Sequence, residues 1–187
     1  IVFGLVGSEM CIRDSHGYTS RAIWFLGYSG FQPIADTEKF IVIYPQGSIL
    51  ITTGQTHWNV GGWTNGSTTD DVDFISYLID WSDDNFNINT DRVYSTGMSN
   101  GGYMSFHLAC NLSHKIAAIA SVTGSMTPDT YNSCNPIHST SVMQIHGDAD
   151  TVVPYYGNWR SKSIPSVMEY WEAVSYTHLT LPTKQPV

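Results

Sequence analysis

The chain has 187 residues, enough for one domain with its own core. Its net charge of −8, with only eight Lys and Arg, excludes a basic face for nucleic acid, and no apolar run is long enough to span a bilayer. Only 13% of residues are charged against 42% hydrophobic and 13% aromatic, a balance that suits an extracellular enzyme handling a neutral or polymeric substrate, although no signal peptide is visible.

Both ends look foreign. Residues 1–15 resemble translated sequencing-adaptor sequence, and so do residues 174–187. The expectation is a natural catalytic segment over residues 16–173, truncated at both ends, with the flanks excluded from fold reasoning. Residues 1–7 read alternatively as a natural strand.

Residues 21–37 mix aromatics with Gly27 and Gly30, and a helix is predicted near 32–37. Residues 40–44 are apolar throughout, the mark of a strand buried on both faces of a parallel sheet. Residues 48–69 are loop-like and carry Trp58 and Trp63. These tryptophans read either as a wall for substrate, Trp58 being the tentative contact, or as plugs at the edge of the core. Thr69, Asp70 and Asp71 form an N-cap pattern, and Val72, Ile75, Leu78 and Ile79 recur at helical spacing, so a helix is predicted over 71–82. Asp70, Asp71 and Asp73 read as acids at a helix start rather than as a metal site, and no metal is expected.

Residues 93–96 are β-branched and aromatic, a strand; residues 103–110 are apolar at helical spacing. Between them Gly97-Met98-Ser99-Asn100-Gly101 fits G-x-S-x-G, the strand-to-helix turn on which a nucleophilic serine stands clear of a sheet. The two glycines are demanded because side chains there collide with the strand and the helix. Residues 115–124 read as a buried strand whose small side chains let the elbow helix approach closely. Residues 125–139 are a loop, 141–146 a strand, and 163–173 a helix with Val167, Tyr170 and Trp171 on one face. The alternation of strands and helices implies an α/β fold, a doubly wound, mostly parallel sheet, with catalytic groups beyond the carboxyl ends of the strands.

With Ser99 as nucleophile, a triad in the order Ser, Asp, His needs an acid just past a later strand. His146-Gly147-Asp148-Ala149-Asp150-Thr151-Val152-Val153-Pro154 offers two. Asp150 is taken as the acid, and Asp148 as a turn residue bonded to its own backbone. His16-Gly17-Tyr18 places an oxyanion loop before the elbow, so the amides of Tyr18 and Asn100 are the expected oxyanion donors. Of the seven histidines only His178 follows Asp150, and it falls in the foreign tail. The triad is therefore expected to lack its base, and the chain to be nearly inactive.

Gly97 to Met104, Asp70 to Ile75, and His146 to Tyr155 together resemble the polyhydroxybutyrate depolymerase and feruloyl esterase family, related to the first carbohydrate esterase family. The resemblance implies an α/β-hydrolase fold and a secreted serine esterase that uses no cofactor. It implies action on polyhydroxyalkanoates or on feruloyl esters of plant cell walls, with Ser99 and Asp150 in the triad. The family's histidine, in a later Gly-His-x-Trp context, has no counterpart here. Two other classes share the fold: a serine peptidase or dienelactone-type hydrolase, and a non-catalytic carbohydrate-binding protein. Cys110 and Cys134 read either as a disulfide of a secreted protein or as two separate thiols.

Overall fold

The computed structural model describes residues 2–3 and 10–175. Six strands form the main sheet: β1 (Val2–Phe3), β2 (Cys11–Ser15), β3 (Ile41–Ile43), β6 (Val93–Met98), β7 (Ala118–Val122) and β8 (Ser141–Ile145). Their order is β1-β3-β2-β6-β7-β8, with β1 antiparallel to β3 and the other five parallel. A small hairpin, β4 (Ile49–Leu50) and β5 (Gln55–Thr56), stands apart within the loop predicted over 48–69.

Helices lie on both faces of the sheet, as the doubly wound reading requires. Beneath α3 (Asp71–Phe86), α4 (Asn100–Asn111) and α6 (Ile164–Ser175) lies the larger core, which includes Ile41, Ile43, Ile75, Val93, Phe106 and Trp171. Beneath α1 (Ala22–Ser29) and α2 (Phe31–Glu38) lies the smaller one, with Phe25, Phe40, Val42 and Tyr44. Strand β3 feeds both, Ile41 and Ile43 to one face and Val42 to the other, which is why its sequence shows no polar alternation. The back of β6, β7 and β8 is an open apolar groove of about 410 Å³ lined by Tyr94, Thr96, Ala118, Ala120 and Met143.

Three helices depart from the sequence expectations. Helix α1 was hidden because apolar residues surround it: Ala22 and Phe25 face the core while Ile23, Trp24 and Tyr28 are exposed. Helix α3 runs past residue 82 to Phe86, carrying its polar end along the surface, and stops where Asn87 turns left-handed at φ 50°. A short helix, α5 (Pro128–Ser133), interrupts the loop over 125–139; Thr127 Oγ1 accepts from the Thr130 amide at 3.1 Å, and proline fills the first position.

The stretch set apart as foreign supplies β2, flanked by β3 and β6 on a run where parallel sheets are ordinarily apolar. Arg13 is fully buried there, and none of the described residues hydrogen-bonds its guanidinium. Burial also pushes the Asp14 carboxyl up to about 7, against a bond from Ser29 that pulls the other way. An acid whose folded value is raised binds its proton more tightly when folded. Its contribution is therefore present below the unfolded value of 3.8 and is lost as pH rises towards 7, by at most about 4 kcal/mol. Asp14→Asn is expected to flatten the fall in stability between pH 4 and pH 7, measured by urea unfolding at each pH; an unchanged slope contradicts this account.

Candidate active site

Strand β6 ends in the predicted elbow. Ser99 sits between β6 and α4 at φ 53° and ψ −118°, a conformation that costs a non-glycine residue about 1–3 kcal/mol and is kept only where its surroundings enforce it. The enforcement is visible. The Ser99 amide donates to the Val122 carbonyl at 2.8 Å, and the Ser99 carbonyl accepts from the Tyr103 amide at 3.0 Å. The flanking glycines let β2 lie against the turn: a Cβ on Gly97 would meet the Ser15 carbonyl oxygen at 2.6 Å, and one on Gly101 would meet it at 1.9 Å. Gly102 makes the same allowance for β7, where a Cβ would stand 2.6 Å from Ser121 Oγ. The small residues of that strand do permit close approach of the helix.

Register brings the expected oxyanion loop to the serine. Ser15, the last residue of β2, pairs with Gly97, so His16, Gly17 and Tyr18 emerge beside the elbow. A Cβ on Gly17 would lie 3.7 Å from the Ser99 Cβ. The first amides of α4, that of Asn100 among them, have no partner within the helix. Thus the loop bearing Tyr18 and the helix start bearing Asn100 meet at Ser99. The Tyr18 side chain points away from this role: its hydroxyl donates to Thr53 Oγ1 at 2.7 Å.

Trp58 corrects one expectation. It is 0% exposed, so it cannot form a wall for substrate. Its indole donates to the His16 carbonyl at 3.0 Å, and its backbone is clipped on both sides by the Asn100 side chain, whose Oδ1 accepts from the Trp58 amide at 2.7 Å and whose Nδ2 donates to the Trp58 carbonyl at 3.1 Å. The plug reading holds for Trp58, and Trp63 is the tryptophan of that loop that lines the pocket at Ser99. Trp63 packs edge-on to Tyr18 at 5.6 Å and to Tyr103 at 5.9 Å. Together with Ser99, Leu50, Val153 and Trp159 these rings line a pocket of about 310 Å³. The sequence signal of the Asn100 clip is an amide side chain at the first position of a helix whose first turns are buried.

The acid turn follows β8 at the same edge of the sheet. Asp150 Oδ1 accepts from the amides of Val152 and Val153 at 2.8 and 2.9 Å. The backbone-bonding role expected of Asp148 thus belongs to Asp150, while Asp148 is exposed. Burial raises the Tyr103 hydroxyl to about 12, and the charge of Asp150 adds to that rise. That phenol stays neutral and meets Ser161.

None of the described histidines lines the Ser99 pocket. His16 has Nδ1 2.8 Å from the Gly17 carbonyl and accepts from the Gly47 amide at Nε2, 3.0 Å away; burial lowers its pKa, so it stays neutral and acts as a post for the loop. His146 spans the turn after β8, with Nδ1 2.9 Å from Gln144 Nε2 and Nε2 2.7 Å from the Val153 carbonyl. His178 lies outside the described residues. Asp70 caps α3, its Oδ1 accepting from the Asp73 amide at 2.9 Å, and Asp71 holds the Asn59 amide at 2.7 Å. No acid, histidine or cysteine group among the described residues is arranged to hold a metal.

Cys110 and Cys134 form a disulfide, tying the end of α4 to the end of α5 across 24 residues. A loop of that length stabilises by about 3 kcal/mol.

A family model described as phospholipase/carboxylesterase matches residues 65–180, more than half the chain. A bifunctional acetylxylan esterase/xylanase of Neocallimastix patriciarum is 32% identical over 151 residues, covering 81% of this chain and 21% of that protein. Feruloyl esterase D of Neurospora crassa is 30% identical over 128 residues, covering 68% of this chain and 39% of that protein. The chain therefore spans well under half the length of these relatives. An acetyl xylan esterase structure from Aspergillus awamori aligns with a TM-score of 0.75 at 18% identity, over 98% of this chain and 77% of that one, a likeness of fold.

Proposed function

The chain belongs to the phospholipase/carboxylesterase family, and on that premise we propose that it carries the core of a serine ester hydrolase acting on acyl groups of plant cell-wall polysaccharides or on polyhydroxyalkanoates. Ser99 Oγ attacks the ester carbonyl while a histidine base takes its proton. The amides of Tyr18 and Asn100 hold the developing oxyanion, each contributing about 3 kcal/mol in the transition state. Asp150 orients the base and stabilises its imidazolium. No step needs a cofactor. The observation that carries this reading is Ser99 at φ 53°, strained against a glycine-lined contact with β2 and opening onto an aromatic pocket.

The base is the missing part. We take residues 16–173 as the natural segment and residues 1–15 and 174–187 as foreign, which supports near inactivity of this polypeptide. Arg13 in a central strand, its guanidinium hydrogen-bonded by none of the described residues, and the apolar groove on the back of β6 to β8 support that division. The disulfide supports an extracellular setting, since such bonds persist in oxidising compartments. Neither nucleic acid nor a membrane is a partner in this reading.

The experiment is turnover of p-nitrophenyl acetate and of feruloylated arabinoxylan by the chain as it stands and by a version whose end carries a histidine-bearing segment of the family. Turnover is expected only in the second. Absence of turnover in a folded second version overturns the esterase reading.

A further inference from the structure

The turn after the acid loop presents an exposed tryptophan beside Ser99. Trp159 is 74% exposed and lines the mouth of the Ser99 pocket, and the Arg160 guanidinium stands 4.6 Å from the centre of its ring. Exposed tryptophan on a surface is common enough singly; the backbone that carries this one is pinned. Asn158 Oδ1 accepts from the Arg160 amide at 2.8 Å and from the Ser161 amide and hydroxyl at 3.1 Å each. The Asn158 amide donates back to the Ser161 carbonyl at 2.9 Å, and the Lys162 amide donates to the Met126 carbonyl at 2.9 Å. Gly157, at φ 79°, has no room for a side chain, since a Cβ would lie 2.7 Å from the Ser163 nitrogen. A ring carried on such a turn gives up only its two side-chain torsions, and no backbone freedom, when a ligand settles on it.

We propose that Trp159 and Arg160 form the rim subsite of the Ser99 pocket, taking a sugar ring of a polysaccharide chain whose ester enters the pocket; the proposal rests on the esterase reading and chooses between its two substrate classes. One indole face is taken by the guanidinium, leaving the other for the apolar C–H face of a pyranose ring. A sugar also needs donors and acceptors around its edge. The rim supplies them in the hydroxyls of Thr52, Thr53 and Ser161 and in Arg160, the one charged side chain lining the pocket among the described residues. Along its repeat units a polyhydroxyalkanoate chain offers ester oxygens alone, with no hydroxyl to give those acceptors.

A second arginine–tryptophan pair provides the control. Arg21 lies 5.3 Å from the ring of Trp24, which is 60% exposed on α1 and lines no part of the Ser99 pocket. In native gels containing soluble arabinoxylan, the chain is expected to be retarded. Trp159→Ala is expected to weaken that retardation about tenfold, Arg160→Gln by less, and Trp24→Ala not at all. Because Trp159 is exposed, its variant keeps the fold, and thermal unfolding confirms this. Binding is read without catalysis, so it stands or falls apart from the chemistry at Ser99. Unretarded wild-type chain, equal retardation of the Trp159→Ala variant, or capture on poly(3-hydroxybutyrate) granules in place of arabinoxylan would each overturn the proposal.

Discussion

Gly101→Ala is expected to destabilise the chain by about 3 kcal/mol or more, enough to leave it largely unfolded if its total stability is at the low end for a domain. The reason is local and severe. The added methyl would lie 1.9 Å from the Ser15 carbonyl oxygen, 2.6 Å from its carbon and 2.9 Å from the His16 carbonyl oxygen. All three are backbone atoms of the strand end and loop beside the elbow, so no rotamer change relieves the contact. Either α4 moves off the sheet, opening the core around Met104 and Phe106, or β2 loses its pairing with β6. The matched control is Gly27→Ala in α1, where a Cβ would meet nothing within 4 Å. There the same change removes only glycine's backbone freedom and is expected to stabilise by about 0.5–1 kcal/mol. Urea midpoints of the two variants, compared with the parent, check both signs at once.

The second large effect separates the two aspartates of the acid turn. In the version that carries a histidine, Asp150→Asn is expected to lower kcat by about 10⁴-fold, as loss of the orienting carboxylate does in triads of this kind. Asp148→Asn is expected to change kcat less than about tenfold, the ordinary consequence of altering an exposed turn residue. The asparagine at 150 keeps an acceptor for the amides of Val152 and Val153, so the turn survives and the loss reports the charge. Similar losses for both variants, or a larger one for Asp148→Asn, would move the acid to position 148.

Much of this architecture was legible. Residues 93–110 announce their strand, turn and helix because the elbow needs glycine at fixed places, and sterics of that kind leave a mark in sequence. Strand β3 and helix α3 were legible for the complementary reason, one apolar on both faces and the other on a single stripe. What was hidden depends on distant partners. Nothing near Trp58 in sequence shows that Asn100 will hold its backbone from 42 residues away, so the same tryptophan reads equally as wall or plug. Helix α1 has no polar stripe to betray it, and α5 is too short for periodicity, though its Thr-Pro start is an ordinary mark of a helix N-terminus. The turn after β8 was legible from its Gly-Asp run, but that Asp150 rather than Asp148 accepts from the amides of Val152 and Val153 depends on how the turn closes on itself.

The account turns on whether the hydroxyl at position 99 is a nucleophile. Incubating the histidine-bearing version with a fluorophosphonate, then weighing the intact chain and mapping the modified peptide, asks this directly. A single adduct on Ser99, absent in the Ser99→Ala variant, is the predicted result. A folded chain that takes up no reagent, or that carries it on any residue other than Ser99, would contradict it.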